Sequence, residues 1–478
     1  MPLGVGVGRR WSPLAAVHLA IAGAVLMVSA PSVNAQTAAP RVQERPLGRG
    51  TPVYVPGVEE PERRELPPFE NPTGAVSLRD AVALALLHNP ELAAFAWEIR
   101  AREAGVLQAG RPPNPSLGLQ AEDFGARQFA GGGVNEPVQT QATLQLSQLI
   151  ELGGKRAARR ELAERDRELA EWDYEMARIN VLTEVSRAFT DVLAAQEAVA
   201  LTGETTRLVT QVQESVAARV AAGVVSPIEE TRAQVALAAV RAEAARARRA
   251  LDASRTRLAL LWGSPIPTFP SVVGDLKAEP APLPAVGSLV EMLDHSPDLA
   301  RWAAEVLQRE AALALERSKR VVDVAVSAGY RRYTTIDSNA FVVGASIPLP
   351  VFNRHKDGIE EARIRLAKAH EERRAAASRV AAVLADAYAA LATAHDEITI
   401  LRSAVLPGAQ QTFDAITEGY RLGRFGFLDV LDAQRTLINA GSQYLQALSD
   451  YYKAVANVER LIGAPLPAGP ALPPKARE

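Results

Sequence analysis

The sequence predicts a mainly α-helical chain in which one unit, helix–strand–strand–long helix–helix, occurs twice. Three observations lead to this fold class. A set of short motifs recurs about 200 residues further along the chain. Two very long segments carry apolar residues at helical spacing, and each is preceded by segments in which apolar and polar residues alternate. A repeat period this long excludes a solenoid and indicates a two-fold repeated domain.

The composition narrows the possible classes of protein. The 478 residues contain no cysteine, which excludes disulfides, thiolate metal sites, cysteine nucleophiles and a lipidated N-terminal cysteine. A net charge of −2 gives no basic field, so no nucleic-acid partner is expected. Metalloprotease, nucleophile-elbow and Walker A patterns are missing, since Gly153-Gly154-Lys155 is followed by Arg156 rather than Ser or Thr. We therefore expect no enzyme, no cofactor and no resident metal.

The N-terminus has the pattern of an export signal. Arg9 and Arg10 precede an apolar run from Leu14 to Val28, and small residues follow at Val33-Asn34-Ala35. We predict a signal peptide over residues 1–35, cleaved after Ala35. An uncleaved anchor is the alternative, but the run is shorter than the ~20 residues that span a bilayer. No later segment is apolar over ~18 residues, so the mature chain is expected to be soluble outside the cytoplasm or to cross a membrane as β-strands.

The duplication is carried by separate motifs that keep one order. His88-Asn89-Pro90 returns as His295-Ser296-Pro297, and Gly223 and Glu229 return as Gly423 and Asp429. The predicted divisions are a proline-rich N-terminal segment over 36–75, copies over 76–265 and 286–465, a proline-rich connector over 266–285 and a tail over 466–478.

Each copy is expected to begin with a helix that Asn89 or Ser296 caps, because proline and an acid follow both residues. Period-two alternation then predicts two strands per copy, each with one apolar face and one polar or small face. Such strands suit a half-buried sheet, or a barrel with lipid outside and water inside. The predicted strands cover about 115–123 and 138–148 in the first copy and about 322–332 and 339–349 in the second.

A long helix over 155–222 is the strongest local prediction, because its apolar residues recur at threes and fours as in a coiled coil. At ~1.5 Å per residue this helix is roughly 100 Å long. The second copy repeats it over 358–421. Each long helix is predicted to end at a glycine turn, Gly223 or Gly423, from which another helix returns.

With these elements placed, the chain resembles the TolC-like outer membrane factor family over 76–465. The resemblance lies in the duplication, the strand-to-helix junctions and the glycine turns. Its motifs are Leu149-Ile150-Glu151-Leu152-Gly153-Gly154, Leu349-Pro350-Val351-Phe352-Asn353, Gly419-Tyr420-Arg421-Leu422-Gly423 and Asp429-Val430-Leu431-Asp432-Ala433-Gln434. Within the family, the chain most resembles the CzcC type, which serves heavy-metal efflux pumps of the RND class.

The resemblance implies a homotrimer, since four strands per chain cannot close a barrel and open strand edges cannot face lipid. Three chains would form a twelve-stranded transmembrane β-barrel in the outer membrane and a long α-helical tunnel through the periplasm. Without a lipidated cysteine, the barrel alone would hold the protein in outer membrane lipid. The implied partners are a periplasmic adaptor (membrane fusion protein) and an inner-membrane RND pump.

The function that the resemblance implies is a passive outer membrane conduit in a tripartite efflux system. The CzcC-type resemblance favours divalent heavy-metal cations as its substrates. Multidrug efflux and type I protein secretion stay open as alternatives within the family. Outside it, the alternative is a periplasmic coiled-coil adaptor or scaffold, which also has long helical hairpins.

The candidate site lies at the two glycine turns, which the resemblance places at the periplasmic mouth. Asp429 and Asp432 match the family's acidic constriction, and Glu229 is the related residue of the first copy. Threefold symmetry would make each a ring of three carboxylates that attracts cations. The alternative is that these acids only cap and solvate the returning helices.

Two further sets of residues follow from the resemblance. Tyr420 matches a gating position, but the family's paired arginine is out of register, since Phe425 stands in its place and Arg424 comes one residue earlier. The candidate adaptor-docking turns are Ala222-Gly223-Val224 and Leu422-Gly423-Arg424.

Overall fold

The structure is a computed structural model that describes residues 71–123, 127–129, 135–137, 140–334 and 337–466. The predicted signal peptide, the proline-rich segment before residue 71 and the tail beyond residue 466 lie outside the described residues.

The main elements of both copies follow the order helix, helix, strand, strand, long helix, helix, and the first copy has additional short strands. The first copy and connector contain β1 (Val76–Ser77), α1 (Leu78–His88), α2 (Pro90–Ala109), β2 (Ser116–Glu122), β3 (Arg127–Phe129), β4 (Asn135–Pro137), β5 (Gln141–Ile150), α3 (Lys155–Ala221), α4 (Pro227–Leu260) and β6 (Val272–Val273). The second copy contains α5 (Val286–Met292), a 3₁₀ turn (Leu293–His295), α6 (Pro297–Ser318), β7 (Val324–Tyr333), β8 (Ser338–Ser346), α7 (Lys356–Ile400), a π-helical turn (Leu401–Val405), α8 (Leu406–Arg421) and α9 (Phe427–Ile462).

The starts of the first helices show how local sequence sets their boundaries. Asn89 Oδ1 accepts hydrogen bonds from the backbone N–H groups of Glu91 and Leu92 at 2.9 and 3.1 Å, so the predicted cap is confirmed. Ser296 also occupies the predicted N-cap position, but its hydroxyl makes no capping hydrogen bond and is buried without a partner among the described residues. There the helix starts from the preceding 3₁₀ turn, and the Ala300 N–H donates to the Ser296 carbonyl at 3.0 Å.

Four strands form one antiparallel sheet in the order β2-β5-β7-β8, which leaves β2 and β8 as edges. The register aligns apolar side chains in rows across one face. These rows are Leu117–Leu146–Ala328–Val343 and Leu119–Leu144–Tyr330–Phe341. Strand β8 ends at Ser346, before the predicted end near 349, and Pro348, which has no backbone N–H for the ladder, follows two residues later.

The junction between sheet and helices ties the two copies together. The Asp323 carboxylate, just before β7, accepts the Leu152 backbone N–H at 3.0 Å and pairs with Lys155 at 2.6 Å. Gly153 has φ +70°, and a Cβ there would lie 2.6 Å from the Cβ of Val321. The first long helix therefore starts at a turn fixed by the second copy.

The main core lies where α3 packs against α1, α2, α4, α6 and α9. Its fully buried large side chains include Leu86, Leu92, Tyr174, Phe189, Leu258, Phe269 and Tyr451. The connector belongs to this core, since β6 pairs in parallel with β1. The Gln196 side chain completes the attachment by bonding both the N–H and the C=O of Val272, at 2.8 and 3.1 Å.

The second long helix differs from the continuous helix predicted over 358–421. A π-helical turn at Leu401–Val405 separates α7 from α8, whereas α3 runs unbroken from Lys155 to Ala221. Pro407 stands two residues after the π turn and supplies no N–H to the helical ladder, which is a recognised cause of such interruptions.

This interrupted helix also corrects an expectation about membrane segments. By length and composition, Lys356–Arg421 contains an 18-residue window with a mean hydropathy of 1.3, so it passes as a candidate span although the sequence predicted none. Only 17% of that window is buried within the chain. Its 66 residues are far longer than the ~20 that a bilayer requires, and one side of α7 packs along α6 and α9.

Candidate functional site

The two predicted glycine turns have the same backbone geometry. Gly223 and Gly423 adopt the left-handed conformation with φ of +70° and +74°. In the first turn the Val224 N–H donates to the Arg219 carbonyl at 2.9 Å, and in the second the Arg424 N–H donates to the Gly419 carbonyl at 2.8 Å. These hydrogen bonds are those of a Schellman motif, in which a left-handed glycine ends the helix. A Cβ at either glycine would meet nothing within 4 Å, so conformation alone requires glycine there.

The predicted docking turns lie on the exposed surface. Ala222 and Arg424 are exposed, and Val224 and Leu422 have 63% and 60% of their surface accessible. Three more large apolar side chains are exposed around the same turns, namely Ile228, Phe425 and Leu428. The chain therefore presents apolar side chains at the ends of two helical hairpins, α3–α4 and α8–α9.

A small second core joins the two hairpins behind these turns. Its buried members are Val216, Ala233, Phe413, Tyr420, Phe427, Val430 and Ala433. The rings of Tyr420 and Phe427 are in tilted contact, with centroids 6.1 Å apart. Phe425 covers Gly419 so closely that a Cβ there would clash with the ring. The two turns are thus held as one unit within a single chain.

Arg219 contacts the candidate site and was missed by the sequence analysis. Its guanidinium carbon lies 4.5 Å from the centroid of the Tyr420 ring, and its Nη1 donates to the Tyr420 carbonyl at 3.2 Å. In the repeat register, Arg219 corresponds to Gly419, the glycine that precedes Tyr420. That exchange of arginine for glycine between copies was the signal available in the sequence.

The electrostatics around Tyr420 involve three groups. Burial raises the pKa of the Tyr420 hydroxyl, the guanidinium of Arg219 opposes this shift, and the carboxylate of Glu229 adds to it. The Tyr420 hydroxyl and Glu229 Oε2 are both buried without a hydrogen-bond partner among the described residues. The structure therefore brings Tyr420 close to both a cation, Arg219, and a carboxylate, Glu229.

Asp429 and Asp432 are both exposed at the start of α9. Asp429 Oδ2 accepts the Gly426 N–H at 2.8 Å, so this acid does cap the returning helix while its other oxygen stays exposed to solvent. Asp432 lines an open groove of about 320 Å³ beside the π turn, together with Ala404, Val405 and Thr436. Within the part of the chain that the structure describes, neither carboxylate forms an ion pair.

Arg424 lies on the exposed side of its turn, and Arg219 instead contacts the Tyr420 ring. Among the described residues, no three His, Asp or Glu side chains are grouped as a metal site. The arrangement therefore offers exposed carboxylates at the turns and, behind them, the buried Tyr420 ring with the half-buried side chains of Arg219 and Glu229.

Comparison with known proteins gives concordant results. The family described as "Outer membrane efflux protein" matches residues 81–264 and again 289–464. The chain is 37% identical over 390 residues to the cobalt-zinc-cadmium resistance protein CzcC of Cupriavidus metallidurans, covering 82% of this chain and 90% of that protein. It is 29% identical to the nickel-cobalt-cadmium resistance protein NccC of Alcaligenes xylosoxydans, covering 66% of this chain and 71% of that protein.

Among solved structures, the chain is similar to CusC, described in terms of transmembrane channel formation, with a TM-score of 0.68. The alignment covers 81% of this chain and 92% of the CusC chain at 18% sequence identity. This likeness concerns the fold, and it confirms the predicted fold class.

Proposed function

Because the chain belongs to the outer membrane efflux protein family, we propose that three copies form the outer membrane channel of a tripartite efflux system for divalent heavy-metal cations. The family resemblance drawn from the sequence is confirmed by the family match and by the similarity to CzcC. The observation that carries the proposal is the four-stranded sheet, whose apolar face is exposed and whose edges are unpaired in one chain.

The exposed face of the sheet fits a lipid environment. Leu117 and Leu119 on β2 and Phe341 and Val343 on β8 stand at the two ends of the apolar rows, and they have between 70% and 84% of their surface accessible. From Ile150 to Leu144 this face extends along β5 by roughly 20 Å at ~3.4 Å per residue, and Gln148 is the polar residue of β5 within it. Outer membrane barrels carry an outward apolar band of about 25 Å. Tyr330 and Phe341 are in edge-to-face contact in the last apolar row, where an aromatic girdle would lie.

The unpaired edges require a partner. Lipid offers no hydrogen bonds to the free N–H and C=O groups of β2 and β8, so a membrane-inserted sheet has to close on itself. Pairing β8 of one copy with β2 of the next closes a ring, and three copies give twelve strands. A periplasmic adaptor or scaffold, the non-channel alternative, leaves the exposed apolar rows without a role.

The helices extend this channel into the periplasm. α3 comprises 67 residues, which at ~1.5 Å each corresponds to about 100 Å. Transport through such a tunnel is passive, and the energy comes from an inner-membrane RND pump that acts through a periplasmic adaptor. The adaptor docks at the turns Ala222-Gly223-Val224 and Leu422-Gly423-Arg424, whose apolar side chains are exposed.

The mouth of the tunnel is gated at the same turns. Rings of Asp429, Asp432 and Glu229 attract cations, and Tyr420, held by Arg219, keeps the hairpins together in the closed state. Arg424, on the exposed side of the turn, contributes positive charge at the entrance. Cations are the proposed cargo because CzcC and NccC are named for resistance to cobalt, zinc, cadmium and nickel.

The proposal is tested by expressing the chain with its cognate pump and adaptor in a metal-sensitive Gram-negative host. We expect a heat-sensitive trimer in the outer membrane fraction and increased tolerance to zinc, cobalt or cadmium that depends on the chain. Tolerance to drugs without tolerance to metals would refute the proposal that divalent metal cations are the substrates. A monomer in the soluble periplasmic fraction would overturn the channel itself.

A further inference from the structure

The polar face of the sheet changes in character along the strands. Near the helices its row consists of small residues, namely Ser116, Ser147, Ser327 and Gly344. Towards the loops the rows become larger and charged, namely Gln120–Thr143–Arg331–Ala340 and Glu122–Gln141–Tyr333–Ser338. In the proposed orientation the loop end faces the exterior, so the charged rows lie near the outer mouth of the channel.

Arg331 is the centre of a bonded group on this face. Its Nε donates to Thr143 Oγ1 at 2.9 Å, and its Nη2 lies 3.6 Å from Glu122 Oε2. Gln120 Nε2 donates to the other oxygen of Glu122 at 2.7 Å. We name Gln120, Glu122, Thr143 and Arg331 the polar belt, and it connects strands β2, β5 and β7.

The polar belt is anchored rather than free in solvent. Thr143 is 2% exposed, and the side chains of Arg331 and Glu122 are 26% and 37% exposed. Gly329 lies one row nearer the helices, where a Cβ would approach the Leu144 carbonyl oxygen to 2.7 Å. The close approach of β5 and β7 at this glycine positions the guanidinium against Thr143.

Arg332, the next residue, provides a comparison on the other face of the sheet. It stands in the row Ala121–Ala142–Arg332–Asn339, above the apolar rows, and pairs with Asp337 at 2.6 Å. Two neighbouring arginines of one strand therefore point to opposite sides of the sheet. Only Arg331 shares its side with the polar residues that a water-filled lumen requires.

We propose that Arg331 and Glu122 form a charge-compensated pair on the lumen wall near the outer mouth. This pair sets how the outer mouth selects among small inorganic ions. This inference rests on the proposed channel. With both charges present, the wall is close to neutral, so exported cations meet no repulsive ring as they leave the channel. Removing either charge exposes the other in each of three copies, and at ~0.1 M salt a charge acts over about 10 Å.

The test measures reversal potentials of the purified full-length protein in planar bilayers under a KCl gradient. Arg331→Gln leaves Glu122 uncompensated and is expected to raise the cation-to-anion permeability ratio by about twofold or more. Glu122→Gln is expected to lower it by a similar factor. The double variant Glu122→Gln/Arg331→Gln should return to the wild-type ratio, and Arg331→Lys, which keeps the charge, should not change it.

The matched control is Arg332→Gln, which removes the same charge from the outer face and should leave the ratio unchanged. Wild-type ratios for both Arg331→Gln and Glu122→Gln in conducting trimers would overturn the inference, as would an equal shift in Arg332→Gln. If Arg331→Gln does not form trimers, Glu122→Gln and the double variant decide the question. Absence of any channel in the wild type would refute the proposed function, and this inference with it.

Discussion

Replacing Arg219 by methionine should loosen the paired turns. The variant removes a guanidinium whose carbon lies 4.5 Å from the Tyr420 ring centroid and whose hydrogen bond to the Tyr420 carbonyl is 3.2 Å long. A partly exposed cation–π contact contributes about 1 kcal/mol, and a hydrogen bond from a charged group contributes about 1.5 kcal/mol. Because one side chain makes both contacts, we take ~2 kcal/mol together, which corresponds to roughly 30-fold in the local opening equilibrium.

Amide hydrogen exchange of the purified protein measures this equilibrium directly. Peptides from residues 409–433 should exchange roughly 30-fold faster in Arg219→Met, whereas peptides from the main core around Tyr451 should not change. Arg424→Met is the matched control, because that arginine is exposed and does not lie over the Tyr420 ring. Equal exchange in the wild type and Arg219→Met, or an equal increase in Arg424→Met, would refute the role assigned to Arg219.

Three further predictions follow from the same contacts. Asp429→Asn with Asp432→Asn should reduce cation selectivity and block by multivalent cations in planar bilayers; asparagine keeps the cap at Gly426, so unchanged selectivity would show that these acids only cap. Gly423→Ala should lower the free energy of unfolding by about 1 kcal/mol, because only the left-handed φ disfavours alanine there. Gly423→Trp should abolish metal resistance while trimers persist. Full resistance in Gly423→Trp would contradict docking of the adaptor at this turn. Burial tends to raise the pKa of Asp323, but Lys155 and the Leu152 N–H outweigh it and hold that pKa below its usual value. The Asp323 carboxylate therefore stabilises the fold fully above its ordinary pKa of 3.8. This stabilisation is lost as the pH falls through the lower pKa that Asp323 has in the folded protein. In thermal unfolding, Asp323→Asn should weaken this acid dependence, and an identical pH profile in the variant would contradict it.

Long-period features of the fold could be predicted from the sequence because they depend on local patterns repeated over many residues. α3 begins at Lys155 and ends at Ala221, beside the predicted 155–222, because its apolar spacing is regular and Gly223 ends it. The interruption at Leu401–Val405 was not predicted, since apolar residues keep their helical spacing across Pro407, at Leu401, Val405, Ala409 and Phe413. The exact strand ends likewise depend on neighbouring strands rather than on alternation alone.

The candidate site was predictable only in part, because its contacts join the two copies. The glycine turns and the exposed acids follow from residues close together in the sequence. The contact between Arg219 and Tyr420 spans about 200 residues and depends on how the hairpins pack. A single-copy motif could not show it, whereas the alignment of Arg219 with Gly419 marks a position at which the two copies differ.

Cross-linking between strand edges tests the central claim, closure of the sheet by neighbouring copies, most directly. The chain contains no cysteine, so any disulfide arises from introduced residues. One cysteine at Leu119 on β2 is combined with a second at successive positions from 340 to 346 on β8, and the protein is oxidised in the outer membrane. The account predicts a covalent trimer that forms at alternate β8 positions around one register. If the protein is folded in the outer membrane but stays monomeric after oxidation at every β8 position, the account is contradicted.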